Sequence, residues 1–232
     1  MNLINLFGRV LIISAHADDE TLGCGGLITK LKDQNIDCHI HIATGSGEFK
    51  HPIFSQSEFN TIKHEFKNAI SHLGNPEYSF GNLPAAMLND TNTFKINTEI
   101  ENLINLIKPN TLLIPSSSDL HLDHKILNYA AKVASRPYLR KNFELMGLIE
   151  YEVPSETNIY FEKSNDIFAP NLYLDISNEL DNKLDAFSEY KSQLQSDNQP
   201  RTIEGLRSLA SYRGVNVGVK YAEAYNIVYR KI

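Results

Sequence analysis

The stretch that most limits how this chain can fold is Arg9-Val10-Leu11-Ile12-Ile13-Ser14-Ala15. An unbroken aliphatic, largely β-branched run of this length suits a strand buried on both faces, as inside a parallel sheet covered by helices. A second such run, Thr111-Leu112-Leu113-Ile114, lies a hundred residues on. At 232 residues the chain is long enough to bury a full core around such a sheet without covalent staples.

Helical patterns fill the space between the strands. After the first strand, Leu22, Leu27, Ile28 and Leu31 form a helical stripe that ends near Asp33-Gln34-Asn35. Ile36, Cys38, Ile40 and Ile42 alternate with Asp37, His39 and His41, which predicts a second strand with a more polar face. A helix over Ser57 to Leu73 stops at Gly74-Asn75-Pro76. Further strands are expected at Glu77 to Phe80, Leu145 to Val153, Asn171 to Ile176 and Tyr225 to Tyr229. Helices are expected at Ile96 to Ile107, Asp123 to Ser135, Glu179 to Gln193 and Ile203 to Tyr212. The alternation predicts an α/β fold: a three-layer sandwich around a mainly parallel, Rossmann-like sheet. We read 1–232 as one domain, with a core over about 8–140 and a C-terminal extension over about 141–232 that completes the sheet and the rim of the site.

In open α/β sheets ligands sit beyond the carboxyl ends of the strands. Two clusters of reactive side chains fall there: His16-Ala17-Asp18-Asp19-Glu20 after the first strand, and Ser118-Asp119-Leu120-His121-Leu122-Asp123-His124 after the Thr111 strand. His16 and Asp19, three apart, can point the same way on one turn, while Asp18 points elsewhere. With His124 they make two imidazoles and a carboxylate with a position left open, the ligand set of a hydrolytic zinc site. Asp18 and His121 remain as acid/base candidates, and Asp123 is placed to orient a neighbouring imidazole. Either cluster alone has a plain alternative, since acidic residues at a helix start often serve the cap and dipole. His39 and His41 read as polar strand positions, and His51, His64 and His72 as loop or exposed helix residues. Gly23-Cys24-Gly25-Gly26 resembles a dinucleotide loop, but the third glycine position falls on Ile28. These glycines are better read as allowing close helix–sheet packing, with Cys24 a small packed residue.

Charge balance narrows the partners. With 22 basic and 28 acidic side chains and a formal charge of −6, nothing drives the chain toward nucleic acid or anionic lipid. Two cysteines, Cys24 and Cys38, and no apolar run longer than Val10 to Ala15 predict a reduced, cytoplasmic setting without membrane insertion.

His16-Ala17-Asp18-Asp19-Glu20 resembles the Ala-His-Pro-Asp-Asp-Glu signature of the PIG-L/LmbE-like zinc de-N-acetylases. His121-Leu122-Asp123-His124 resembles their second, His-x-Asp-His motif. Glu65, Ala69 and Leu73-Gly74 match their second-helix pattern, and Lys183, Lys191-Ser192-Gln193, Arg213-Gly214 and Tyr221-Ala222-Glu223-Ala224-Tyr225 their C-terminal one. The resemblance implies removal of acetyl from an N-acetylglucosamine-type unit of a glycoconjugate, sugar nucleotide or small glycoside. It implies one Zn2+ per chain, with Fe2+ or another divalent ion as substitutes, held by His16, Asp19 and His124. Asp18 would be the general base, His121 would steady the oxyanion or protonate the amine, and Asp123 would tune His121. Glu48 in Thr44-Gly45-Ser46-Gly47-Glu48 would contact substrate. Three departures are visible: Ala17 replaces the usual proline, Ile62, beside Lys63, stands where an arginine is often found, and Phe80-Gly81-Asn82-Leu83-Pro84 lacks the aspartate often seen in that loop. A rim of Ser46, Glu48, Ser116, Ser117, Ser118 and Asp119, poor in arginine and lysine, would suit polyhydroxyl recognition. Two rival readings are a non-haem iron oxygenase using His16, Asp18 and His124, and a non-catalytic sugar-binding protein. Homo-oligomerisation is left open.

Overall fold

The computed structural model describes residues 6–157 and 167–231. Seven strands form one sheet in the order β3-β2-β1-β4-β5-β7-β6. They are β1 (Val10–Ser14), β2 (Cys38–Gly45), β3 (Glu77–Pro84), β4 (Thr111–Pro115), β5 (Gly147–Tyr151), β6 (Leu172–Asp175) and β7 (Ala222–Arg230). The first five run parallel, and β7 joins them antiparallel between β5 and β6. The fold is thus α/β with a mainly parallel sheet in Rossmann-like order, and the sheet is continuous across residue 140.

Alternation along the central strands feeds two cores. Val10 and Ile12 of β1, Leu113 of β4 and Ile149 and Tyr151 of β5 face one core. There they meet α1 (Asp19–Asp33), α2 (Gln56–His72), α5 (Leu180–Ser188) and α6 (Ile203–Val215). Leu11, Ile13, Leu112, Ile114 and Leu148 face the other core, covered by α3 (Thr93–Ile107) and α4 (Leu122–Ala134). That is why β1 and β4 carry no polar face: each is buried throughout. No helix among the described residues is long and apolar enough to cross a membrane.

Several elements differ in extent from the sequence reading, among them β3, β7 and α5. Strand β3 runs on to Pro84 because a register shift between Ile42 and Thr44 lets Leu83 and Pro84 keep pairing with β2. Gly81 permits it, since a Cβ there would meet the Ala43 carbonyl oxygen at 2.5 Å. Strand β7 begins at Ala222 because pairing with Asp175 outweighs the weak strand preference of Ala-Glu-Ala. Helix α5 stops at Ser188, five residues short. At the start of α1, Gly23 and Gly26 do serve close packing: added Cβ atoms would lie 2.3 Å from Tyr151 and 2.5 Å from Ile176.

Candidate active site

Strand order reverses between β1 and β4, and a crevice opens where their following loops diverge. Loop β1–α1 and the first residue of α1 bring His16, Asp18 and Asp19 to it, and loop β4–α4 and the first turn of α4 bring Asp119, His121 and His124. Residues more than a hundred apart in sequence meet because their strands are neighbours.

Three donor atoms form a tripod. Asp19 Oδ2 lies 3.2 Å from His124 Nε2 and 3.7 Å from His16 Nδ1, and the two imidazole nitrogens are 3.2 Å apart. Ligands about 2.0–2.1 Å from a tetrahedral ion are roughly 3.3 Å from one another, so the tripod fits a small divalent metal. The far nitrogen of each ring has a carboxylate beside it: His16 Nε2 is hydrogen-bonded to Asp123 Oδ2 at 3.0 Å, and His124 Nδ1 lies 3.0 Å from Asp119 Oδ2, off the line of a straight hydrogen bond. Protons held there leave the tripod nitrogens as lone-pair donors, the usual outer support of a metal-bound histidine. His121 is the other possible ligand, since donors of His16, His121 and His124 all lie within 4.8 Å of one another.

The carboxylate of Asp123 therefore serves His16 rather than His121, a correction to the expected role. His121 is the N-cap of α4, and its Nδ1 accepts the Asp123 backbone N–H at 3.2 Å. The Asp123 side chain turns instead to the loop after β3, where the N–H groups of Ala86 and Leu88 donate to it at 2.6 and 3.1 Å. Burial works against its charge, but the bonds to His16 and this backbone hold the carboxyl below its ordinary range. Burial, reinforced by His16 and His124, pushes the His121 imidazole down to about 4, so it is neutral at neutral pH.

Asp18 is held apart from the tripod by its backbone. It sits at φ 134°, where L side chains are rarely found, and its side chain makes no capping bond to α1. The helix-cap alternative therefore does not describe it. Buried Glu20 steadies the turn: its Oε2 accepts the Asp18 N–H at 3.1 Å, while Thr21 and Tyr190 hydroxyls donate to Oε1. Burial and the adjoining Asp19 raise the Asp18 carboxyl well above its ordinary value, against the opposing pull of Arg201. Burial opposes ionisation of Asp19 too, yet His124 and His16 outweigh it and hold that carboxyl far down.

A cavity of about 600 Å³ opens over these groups. His16, Asp18, Asp19, His121 and His124 line it, as do Ile62 and Lys63. Glu48 does not. It is exposed and paired with Lys95 Nζ at 2.7 Å, because the α3 lysine draws it outward. Ser46, Ser116, Ser117 and Ser118 also lie off the cavity wall, and Asp119 turns inward to His124. The rim is not free of cations, since Arg201 reaches in from the start of α6 with Nη1 3.3 Å from Asp18 Oδ2. Sequence reasoning passes over Arg201, which lies in a polar stretch with no pattern around it. His51, expected to be a plain loop residue, has a structural task instead. It is buried, donates from Nε2 to the Ala85 carbonyl at 2.8 Å, and accepts the Ile53 and Phe54 N–H groups at Nδ1. Cys24 and Cys38 are free and buried, with thiols pushed up by burial.

Comparison with known proteins gives concordant results. A model of the PIG-L family, GlcNAc-PI de-N-acetylase, matches residues 11–135. Diacetylchitobiose deacetylase from Thermococcus kodakarensis is 28% identical over 95% of this chain and 83% of its own length. Among solved structures, the conserved protein TT1542 from Thermus thermophilus superposes with a TM-score of 0.76 at 22% identity, covering 97% of this chain and 96% of its own. N,N'-diacetylchitobiose deacetylase from Pyrococcus horikoshii, complexed with its inhibitor MPG, gives 0.73 at 21%, covering 98% and 86%.

Proposed function

The chain belongs to the PIG-L family, and on that premise we propose that it is a zinc-dependent hydrolase that removes acetyl from an N-acetylglucosamine-type unit. One observation carries the reading: a metal-sized tripod stands beside a buried carboxylate, Asp18, that takes no part in it.

His16, Asp19 and His124 are the residues that would hold one divalent ion. Such an ion supplies Lewis-acid polarisation of the amide carbonyl and a water acidified toward neutral pH. Asp119 and Asp123 fix the tautomers of the two imidazoles from outside. Asp18, as a carboxylate, accepts the proton of the attacking water, and Arg201 orients that carboxylate. Neutral His121 presents a ring nitrogen to the reacting amide and steadies the oxyanion of the tetrahedral intermediate. Collapse of that intermediate gives acetate and a free amine, whose nitrogen takes up the proton that Asp18 accepted.

The test is a panel of acetylated amino sugars assayed for released acetate, with chelated protein and with protein reloaded with zinc. Acetate release that disappears on chelation and returns with zinc is expected. Equal turnover of acetyl-lysine and an N-acetylglucosaminide would recast the protein as a broad amidohydrolase, since a site that hydrogen-bonds sugar hydroxyls rejects analogues lacking them.

A further inference from the structure

The cavity changes character along its length. Its tripod end lies over β1 and β4 and is ringed by Asp18, Glu156 and Arg201. Toward β3, two strands and so about 10 Å away, four apolar side chains enter the wall, Phe54, Phe59, Ile62 and Phe80, with Glu58 and Thr61 of α2 as polar neighbours. Ile62 and the phenylalanines offer no hydrogen bond. Lys63 reaches the same wall, but its Nζ stands 5.2 Å over the Phe80 ring, held to an aromatic face.

This wall is organised before any ligand arrives. The His51 ring stacks on Phe54 with centroids 5.3 Å apart and meets Phe59 edge-on at 5.3 Å, and Phe54 meets Phe59 at 6.0 Å. The bonds of His51 to Ala85, Ile53 and Phe54 fix the loop that carries the first ring. At about 600 Å³ the cavity is of a size that holds drug-like ligands, leaving room beyond one acetamido sugar placed at the tripod.

From this juxtaposition we infer that the aromatic wall is an aglycone subsite, which selects N-acetylglucosaminides carrying a flat apolar group, such as an aryl ring, on the anomeric oxygen. The inference rests on the deacetylase reading and deepens it. A second sugar ring in that place would bring several hydroxyls against Phe54, Phe59 and Ile62, and those that do not reach Glu58 or Thr61 lose water and gain no partner. An aryl ring loses nothing there and gains offset or edge-on contacts with three phenylalanines.

The experiment compares kcat/KM for methyl and phenyl β-N-acetylglucosaminide and for N,N'-diacetylchitobiose with the zinc-loaded protein. Phenyl should exceed methyl at least tenfold and should also exceed chitobiose. In Phe54→Ser and Ile62→Ser the phenyl-to-methyl ratio should fall toward one. Phe54 is 38% exposed, so its replacement leaves the core intact. A wild-type ratio near one, a ratio unchanged in both variants, or chitobiose as the better substrate would overturn the inference. Calorimetric binding of phenyl and methyl β-D-glucosaminide, which needs no turnover, separates the two claims. Preferential phenyl binding by a protein that releases no acetate keeps the subsite and removes the deacetylase reading. Equal binding of the two removes the subsite.

Discussion

Two buried clusters of charge flank helix α1, and they are built differently. Behind the helix, Lys183 Nζ meets Glu223 Oε1 at 2.6 Å, and the Tyr225 hydroxyl donates to Oε2. The Gly26 and Leu27 N–H groups complete the carboxylate at 2.8 Å each. One cation faces one anion and the remaining acceptors are filled, as a structural pair requires. At the front of the same helix Asp18, Asp19 and Glu20 follow one another, all buried. Their surroundings push the pKa values of Asp18 and Asp19 in opposite directions. Unequal, crowded titratable groups in a cleft point to chemistry, whereas paired ones point to packing.

The contrast breaks most visibly at the front cluster. His124→Ala should strip the metal and with it the activity. Asp18→Asn should keep the metal while turnover falls by about 10²–10⁴-fold, the usual loss for a positioned base. Metal analysis beside acetate release checks both, and metal loss in Asp18→Asn alone would exchange the two aspartate roles. At the rear cluster Glu223→Ala should leave Lys183 buried without its counter-charge and lower stability by about 3–5 kcal/mol in urea unfolding. A destabilisation below about 1 kcal/mol there would erase the distinction.

A third buried polar group sharpens it further. His39 and His41 share the Ser79 hydroxyl at 2.8 Å each, with Glu77 3.7 Å from His39. Burial pushes His41 down to about 4. Below about pH 6.5 the unfolded chain takes up a proton that the folded chain refuses until about pH 4. Stability is therefore complete above pH 6.5 and declines as the pH falls from there to 4, by up to about 3 kcal/mol. Urea midpoints across that range should decline less in His41→Gln. The smallest effect belongs to Glu48→Ala. Its exposed pair with Lys95 contributes about 0–1 kcal/mol, and acetate release should stay within about twofold of wild type.

Much of this was legible because periodicity and topology act locally. Continuous apolar runs marked β1 and β4, and the rule that ligands sit at carboxyl ends already brings His16 and His124 together on sequence alone. What stayed hidden depended on direction or on distant partners. Asp123 could be recognised as the support of an imidazole, but which one depended on His121 becoming the cap of α4. Asp119 sat in view, yet its turn inward to His124 is a property of the folded loop. Glu48 has the composition of a ligand contact and is drawn outward by a lysine on a later helix. Arg201 lies 183 positions from Asp18, and no spacing rule links them.

The backbone at Asp18 has a consequence for how stability and activity are balanced at such a site. A non-glycine residue at φ 134° destabilises the fold by about 1–3 kcal/mol, and a buried carboxyl adds to that. Asp18→Gly should accordingly raise the melting temperature while abolishing turnover, the usual opposition between stability and activity. If it lowers the melting temperature, the turn is not strained. The turn thus holds a buried carboxyl beside the tripod at the expense of stability, which is what a working base in the proposed reaction would require.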